Sequence, residues 1–302
     1  MSGVVVKETR DDCDRPEFTE TRLDLDPRVK GDAGGMTNSN AAHLGWKGLL
    51  PVEDTALAVT DTGGSGIPVV YLNGSYASQR HWRPVINALG PGWRHITYDE
   101  RARGKSKKSA DYSFEACVRD LDAVLKARRV ERPLLVGWSY GALLGVHWAA
   151  RHPGRVAGVV GVDGPFPSGW TDEAGHERIR RLFHKARWAL PMARLIGNAA
   201  RMSAAQHAEI NIEAHILHAA LEPVLDSLTV PVRYVVGSGE ALGSRNDEQE
   251  QMRTTLNPVL ARNPNLTIGA KVAGNHGTIV RKDFRAIAEA TRELAALTRE
   301  SR

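Results

Sequence analysis

The feature that most constrains this chain is Gly137-Trp138-Ser139-Tyr140-Gly141, set between the apolar run Pro133-Leu134-Leu135-Val136 and the Ala/Leu-rich stretch that follows to Arg151. A short apolar run that ends in glycine reads as a buried strand, and the Ala/Leu-rich stretch reads as a helix over about 140–151. A serine at such a junction sits on a sharp turn with strained dihedrals. Glycines two residues to either side are needed there, because a Cβ at either position would collide with the neighbouring strand or helix. The turn lifts the Ser139 hydroxyl clear of the sheet and sets it at a helix N-terminus, where backbone N–H groups can hold a developing oxyanion.

The surrounding sequence alternates short β-branched runs with amphipathic ones, the order expected of a parallel sheet covered by helices on both faces. Strands are predicted over Pro68–Leu72, Arg94–Tyr98, Pro133–Val136, Val156–Val162, Val232–Val236 and Leu266–Val272. Trp82, Val85, Ile86 and Leu89 keep a helical stripe, as do Phe114, Cys117, Val118, Leu121, Val124 and Leu125. A polar helix is expected near 245–262, and a last one carries Phe284, Ile287, Leu294 and Leu297. Residues 1 to about 45 show little hydrophobic period and read as a flexible or surface-packed extension, with Met36 available as an alternative start. Residues 46–302 read as one α/β domain, interrupted by an insertion from about Pro165 to Leu228.

Several function classes are disfavoured on composition. The net charge of +5 comes from Lys and Arg scattered through 302 residues, without the basic block of a nucleic-acid arm. No stretch approaches the ~20 apolar residues of a membrane span, and the N-terminus lacks an apolar signal core. Two cysteines, Cys13 and Cys117, suggest neither a disulfide framework nor a thiolate zinc site, and point to a reducing, cytoplasmic setting. His215 and His218 are spaced for one face of a helix, but without further clustered ligands they read as surface positions. His147 and His152 read as packing or capping residues. Neither metal, organic cofactor nor nucleic acid is expected as a partner; self-association is left open.

From 46 to 302 the sequence resembles the α/β-hydrolase superfamily. Leu72-Asn73-Gly74-Ser75 stands where that family has its HG oxyanion loop, Asp99-Glu100-Arg101-Ala102-Arg103-Gly104-Lys105-Ser106 resembles its D-x-R-G-x-G-x-S turn, and His152-Pro153-Gly154-Arg155-Val156 resembles the approach to its next strand. Asn73 replaces the usual histidine and Ala102 a glycine. The resemblance implies a mostly parallel eight-stranded sheet with helices on both faces and a helical lid inserted after strand six. It further implies an oxyanion hole from the N–H of Tyr140 with that of Gly74 or Ser75. Gly104-Lys105-Ser106 also resembles the end of a phosphate-binding loop, but the glycine required upstream is Asp99, which argues against a nucleotide site of that kind.

A serine hydroxyl needs a base, and histidine's unperturbed pKa of about 6.5 suits both taking up and returning a proton. Among the 11 histidines, His276 in Gly274-Asn275-His276-Gly277 follows the last predicted strand, where the family's histidine loop belongs. The acid that orients it has two candidates. Glu240, in Gly237-Ser238-Gly239-Glu240, resembles the family's commoner site after strand seven. Asp163, which ends Val156–Val162, resembles the branch with the acid after strand six and is preferred.

The insertion is rich in aromatics, and Trp138, Trp170, Phe183 and Trp188 are candidate pocket residues for a fairly apolar substrate. The expectation is a serine hydrolase of an ester or lactone. Thioesterase, carbon–carbon bond hydrolase and cofactor-free haloperoxidase chemistry share the same triad, and a non-catalytic ligand receptor is the rival from another class. Dehalogenase and epoxide-hydrolase relatives place an aspartate where Ser139 stands.

Overall fold

The computed structural model describes residues 43–169, 171–195, 199–239 and 246–300. The expected extension falls almost wholly outside them. The described residues build an eight-stranded sheet in the order β1-β2-β4-β3-β5-β6-β7-β8. These strands are β1 (Trp46–Val52), β2 (Thr55–Asp61), β3 (Ile67–Leu72), β4 (Trp93–Tyr98), β5 (Leu134–Trp138), β6 (Gly158–Val162), β7 (Val232–Gly237) and β8 (Leu266–Val272). β1 and β2 form an antiparallel hairpin, β2 joins β4 antiparallel, and from β4 onward every pairing is parallel.

The central strands are buried on both faces, which is why they read as unbroken apolar runs. Side chains alternate between two cores. With α1 spanning Arg83–Leu89, Val70, Leu72, Leu135 and Val159 face away from it, toward α2 (Phe114–Ala127) and α3 (Tyr140–Arg151). Val69, Tyr71, Val136 and Val160 face the opposite way, toward α1 and the C-terminal helix. Between β6 and β7 the chain leaves the sheet as four helices, α4 (Glu173–Ala186), α5 (Leu190–Leu195), α6 (Ala204–Ala219) and α7 (Leu221–Asp226). α4 and α6 pack through Ile179, Ala208 and Ile212, a small core of their own, and the Glu213 carboxylate accepts from the Phe114 N–H at 2.8 Å, which ties α6 to α2.

Two local differences from the sequence reading have plain causes. The polar helix expected near 245–262 is two helices, α8 (Asn246–Thr254) and α9 (Asn257–Arg262), because Pro258 begins a new first turn rather than continuing the old one. The strand expected from Val156 pairs only from Gly158, since Pro153–Arg155 forms a tight helical turn just before it. The chain closes with α10 (Ile279–Lys282) and α11 (Phe284–Glu300), the latter packed across the sheet through Ile287 and Leu294.

Candidate active site

The carboxyl ends of β3, β5, β6 and the loop after β8 converge, and each brings a polar group. Ser139 lies between β5 and α3 with φ 55° and ψ −115°, in the left-handed region that a non-glycine residue adopts only under external constraint. The constraint is visible. A Cβ on Gly137 would stand 2.4 Å from the Gly141 carbonyl oxygen, and one on Gly141 would stand 2.1 Å from that of Leu72. Both glycines therefore let α3 close against β5 and β3, and the Ser139 N–H donates to the Val162 carbonyl at 3.0 Å.

His276 lies in the loop between β8 and α10. Its Nε2 is 2.9 Å from Ser139 Oγ, and its Nδ1 is 2.9 Å from Asp163 Oδ2. Its backbone is held too: Trp138 Nε1–H donates to the His276 carbonyl at 3.1 Å. The imidazole side chain is 39% exposed and that of Asp163 only 2%, so the carboxylate that meets Nδ1 is closed off while the ring itself is partly open.

Asp163 follows β6 with φ 44°. Its N–H donates to the Val235 carbonyl at 2.8 Å, and its Oδ1 accepts from the Gly237 N–H at 3.0 Å and from Arg253 Nε at 3.3 Å. Burial pushes the carboxyl's pKa up, but the His276 hydrogen bond and charge, followed by those of Arg253, outweigh it and hold the group below its usual range. Glu240, the alternative acid, lies outside the described residues, as does Trp170.

The segment offered for the oxyanion hole is braced from beneath. Asn73 donates its N–H to Glu100 Oε1 at 3.1 Å and its Nδ2 to Glu100 Oε2 at 2.9 Å and to the Tyr98 carbonyl at 2.6 Å. Its Oδ1 accepts from Trp82 Nε1 at 2.9 Å, so the asparagine that replaces the family's histidine is fully used as a strut. The next carbonyls are fixed as well, that of Gly74 by the Ala77 N–H at 2.9 Å and that of Ser75 by Arg103 Nε at 2.8 Å. Tyr140 is the first residue of α3, so its N–H belongs to the free donors of a helix start; its ring is buried edge-on to Phe114. Burial raises the Glu100 carboxyl's pKa to about 7, against the opposing pull of Arg103 and Asn73.

A cavity of about 180 Å³ opens at Ser139, lined also by Gly164, Phe166, His218, Met252, Arg253 and His276. Of the expected pocket aromatics, Trp138, Phe183 and Trp188 are described, and these three do not line it. Trp138 instead packs between His81 and His276, at ring separations of 6.1 and 6.0 Å. Phe183 stacks on His207 at 5.6 Å inside the α4–α6 core, because that amphipathic pair needs its own filling. Trp188 is 80% exposed, with the Arg187 guanidinium over its ring at 4.9 Å, so a cation rather than a core covers its face.

His218, expected at the surface, is half-buried at the cavity wall, and burial pushes its pKa down to about 4. It is a neutral polar group there. His147 is buried against Phe114, and His152 stacks on Trp148. Among the described residues no cluster of three or more His, Cys, Asp or Glu side chains is arranged to hold a metal ion, and no helix is long and apolar enough to cross a membrane. Arg253 and Glu100 went unassigned in the sequence. Nothing in the polar helix near 245–262 marks Arg253, whereas Glu100, an acid directly after a buried strand, carries a signal in its position.

Residues 67–196 match the family described as the alpha/beta hydrolase fold. A haloalkane dehalogenase of Mesorhizobium japonicum is 35% identical over 141 residues, 46% of this chain and 45% of that protein. Epoxide hydrolase B of Mycobacterium tuberculosis is 36% identical over 115 residues, 37% of this chain and 32% of that protein. The matched regions thus span less than half the length of these relatives. Among solved structures, one from work on carboxylesterases of Nitrososphaera gargenis aligns with a TM-score of 0.63 at 18% identity, covering 84% of this chain and 100% of that one. An esterase from Thermogutta terrifontis aligns with a TM-score of 0.59 at 21% identity, covering 81% and 94%. At these identities the structural likeness speaks for the fold.

Proposed function

Because the chain belongs to the α/β-hydrolase superfamily, we propose that it is a serine hydrolase that cleaves a carboxylic ester or lactone of a fairly apolar small molecule through an acyl-enzyme on Ser139. The observation that carries this reading is the continuous relay from Ser139 Oγ through His276 to Asp163, with both hydrogen bonds at 2.9 Å. The named relatives that act on carbon–halogen bonds or epoxides do not transfer their chemistry directly, because the elbow here holds a hydroxyl and not a carboxylate.

In the first half-reaction Ser139 Oγ bonds to the carbonyl carbon as its proton passes to His276 Nε2. The tetrahedral oxyanion is held by the Tyr140 N–H with that of Gly74 or Ser75; the Asn73 N–H is committed to Glu100 and takes no part. The carbon–oxygen bond to the alcohol then breaks, and the alkoxide leaves with the proton from Nε2. Water repeats the sequence on the acyl-enzyme and releases the acid. Asp163 fixes the Nδ1–H tautomer and stabilises the imidazolium without taking its proton. Phe166 and Met252 supply the apolar wall, and a cavity of about 180 Å³ suits a compact acyl or lactone ring.

The test is turnover of short p-nitrophenyl esters, with labelling by a fluorophosphonate probe. The wild-type protein should show both, and Ser139→Ala should abolish the label and reduce kcat by at least about 10³. A folded protein that shows neither, and whose ligand affinity is indifferent to Ser139→Ala, would be a binding protein on a hydrolase fold.

A further inference from the structure

The basic residues that look scattered in sequence are not scattered in space. A groove of about 860 Å³ runs between the β3–α1 and β4–α2 connections on one side and the α5–α6 segment on the other. Its walls carry Lys47, Arg83, Arg103, Lys105, Lys108 and Arg201, with Arg80 and Arg194 beside them, against one carboxylate, Asp99.

That carboxylate is already engaged. Asp99 accepts from Gln79 N–H at 2.8 Å, Gln79 Nε2 at 3.1 Å and the Lys105 N–H at 2.8 Å. Three of the arginines each spend two of their five N–H donors on neutral oxygens. Arg201 reaches across from the insertion to the carbonyls of Gly104, at 2.7 Å, and Ser106. Arg194 donates to the carbonyls of Ala200, at 3.1 Å, and Met202. Arg103 donates to those of Ser75 and Arg101, at 2.8 and 3.0 Å, and meets the charge of Glu100 behind it. Carbonyls fix a guanidinium in place without cancelling its charge. Among the described residues, Lys47, Arg83, Lys105, Lys108, Arg194 and Arg201 form no ion pair with a carboxylate, whereas several exposed arginines elsewhere do, as Arg119, Arg151 and Arg262 show.

A concave surface that keeps several uncompensated cations side by side sets up a strong positive potential, which low-dielectric walls focus. Its size falls within the ~300–1,000 Å³ of small-ligand pockets, and it has two facing walls, unlike the open stripe that tracks a nucleic-acid backbone. We infer that this groove is a binding site for a small molecule bearing a diphosphate or comparable multi-phosphate group, separate from the cavity at Ser139. The oxygens of such a group match what the groove offers: guanidinium charges fixed in place, with N–H donors left beyond those the carbonyls take, and the flexible lysine ammonium groups of the same walls. The two sites share one connection, since Arg103 lines the groove and also holds the Ser75 carbonyl.

The probe is inorganic pyrophosphate, titrated calorimetrically into the full chain, with sodium chloride at matched ionic strength as the blank. Saturable binding is expected, with a rise in Tm. The double variant Lys105→Glu/Lys108→Glu, which changes two exposed side chains, should weaken binding at least tenfold while its Tm without ligand stays close to wild type. Ser139→Ala should bind as wild type does, so the inference stands or falls apart from the serine-hydrolase reading. Pyrophosphate that raises the KM of a neutral ester would mark the phosphate as part of the substrate; binding that leaves KM unchanged would mark a separate effector. No saturable binding, an undiminished affinity in the charge-reversed variant, or binding of single-stranded RNA without any of pyrophosphate would each overturn the proposal.

Discussion

Replacing Asp163 with asparagine changes one atom of the relay, and the surrounding donors dictate which way the new amide must turn. Oδ1 faces two donors, the Gly237 N–H at 3.0 Å and Arg253 Nε at 3.3 Å, while Oδ2 faces His276 Nδ1 at 2.9 Å and, more distantly, an Arg253 terminal nitrogen at 3.4 Å. An amide turned toward Gly237 would set a donor against two donors at a site that is 3% exposed. Turned toward His276 it loses less, so the asparagine donates to Nδ1, the proton moves to Nε2, and the nitrogen facing Ser139 is no longer a base. A relay locked in that tautomer loses about 10⁴ in kcat. At about 1.4 kcal/mol per tenfold, that is roughly 5.5 kcal/mol of barrier. Initial rates on a p-nitrophenyl ester, with thermal unfolding measured in parallel, separate this from loss of structure. Fluorophosphonate labelling should slow in step with kcat. Glu240→Gln should change kcat little. If Asp163→Asn stays within tenfold of wild type while His276→Ala is inactive and Glu240→Gln is crippled, the tautomer argument fails and the acid lies after β7.

Four further outcomes follow from the structure. Glu100→Gln cannot satisfy both Asn73 donors, because one of its terminal atoms is itself a donor; kcat on a neutral ester should fall about tenfold with little change in KM. The same carboxyl has a folded pKa of about 7, above the 4.5 of an unperturbed glutamate. Between those values the folded chain keeps a proton that the unfolded chain has lost, so stability falls as pH rises through that window. The loss totals about 3 kcal/mol at about 1.4 kcal/mol per unit. Urea unfolding from pH 4.5 to 7.5 should show this slope in wild type and lose it in Glu100→Gln; equal slopes would count against the assignment. Gly141→Ala places a methyl 2.1 Å from the Leu72 carbonyl oxygen, a backbone atom with no rotamer to yield, and should cost more than about 3 kcal/mol in the same assay. Gly154→Ala, whose Cβ would meet nothing within 4 Å, should be near neutral.

What the sequence displayed was local chemistry whose neighbours are also neighbours in the chain. The elbow could be read because its two glycines, its strand and its helix are contiguous, and β3, β5 and β6 because burial on both faces leaves unbroken apolar runs. β1 was harder: its alternation exposes every second residue, and Gly48 and Pro51 are weak strand formers. Ser139, His276 and Asp163 were each proposed from motif position, and the fold brings those three together. Arg253 could not be foreseen, since it reaches Asp163 across 90 residues of chain from a helix with no apolar stripe. Trp188 shows the opposite error: a tryptophan suggests burial, yet this one stays 80% exposed with an arginine over one face of its ring.

Asp163 is also the last residue before the chain leaves the sheet, and it is fastened there by the Val235 carbonyl and the Gly237 N–H. The segment from Ser168 to Ala219 is therefore the part to lengthen, shorten or replace while Asp163 keeps its contacts; Leu221, Leu225 and Leu228 beyond it belong to the main core. Under the proposed function the junction would act as a socket, with its fixed contacts serving the chemistry and the exchangeable part serving the choice of substrate. On the serine-hydrolase reading, grafts that start beyond Pro167 and rejoin ahead of Leu221 should keep the relay while changing what reaches it, which makes this junction the place to cut when altering selectivity.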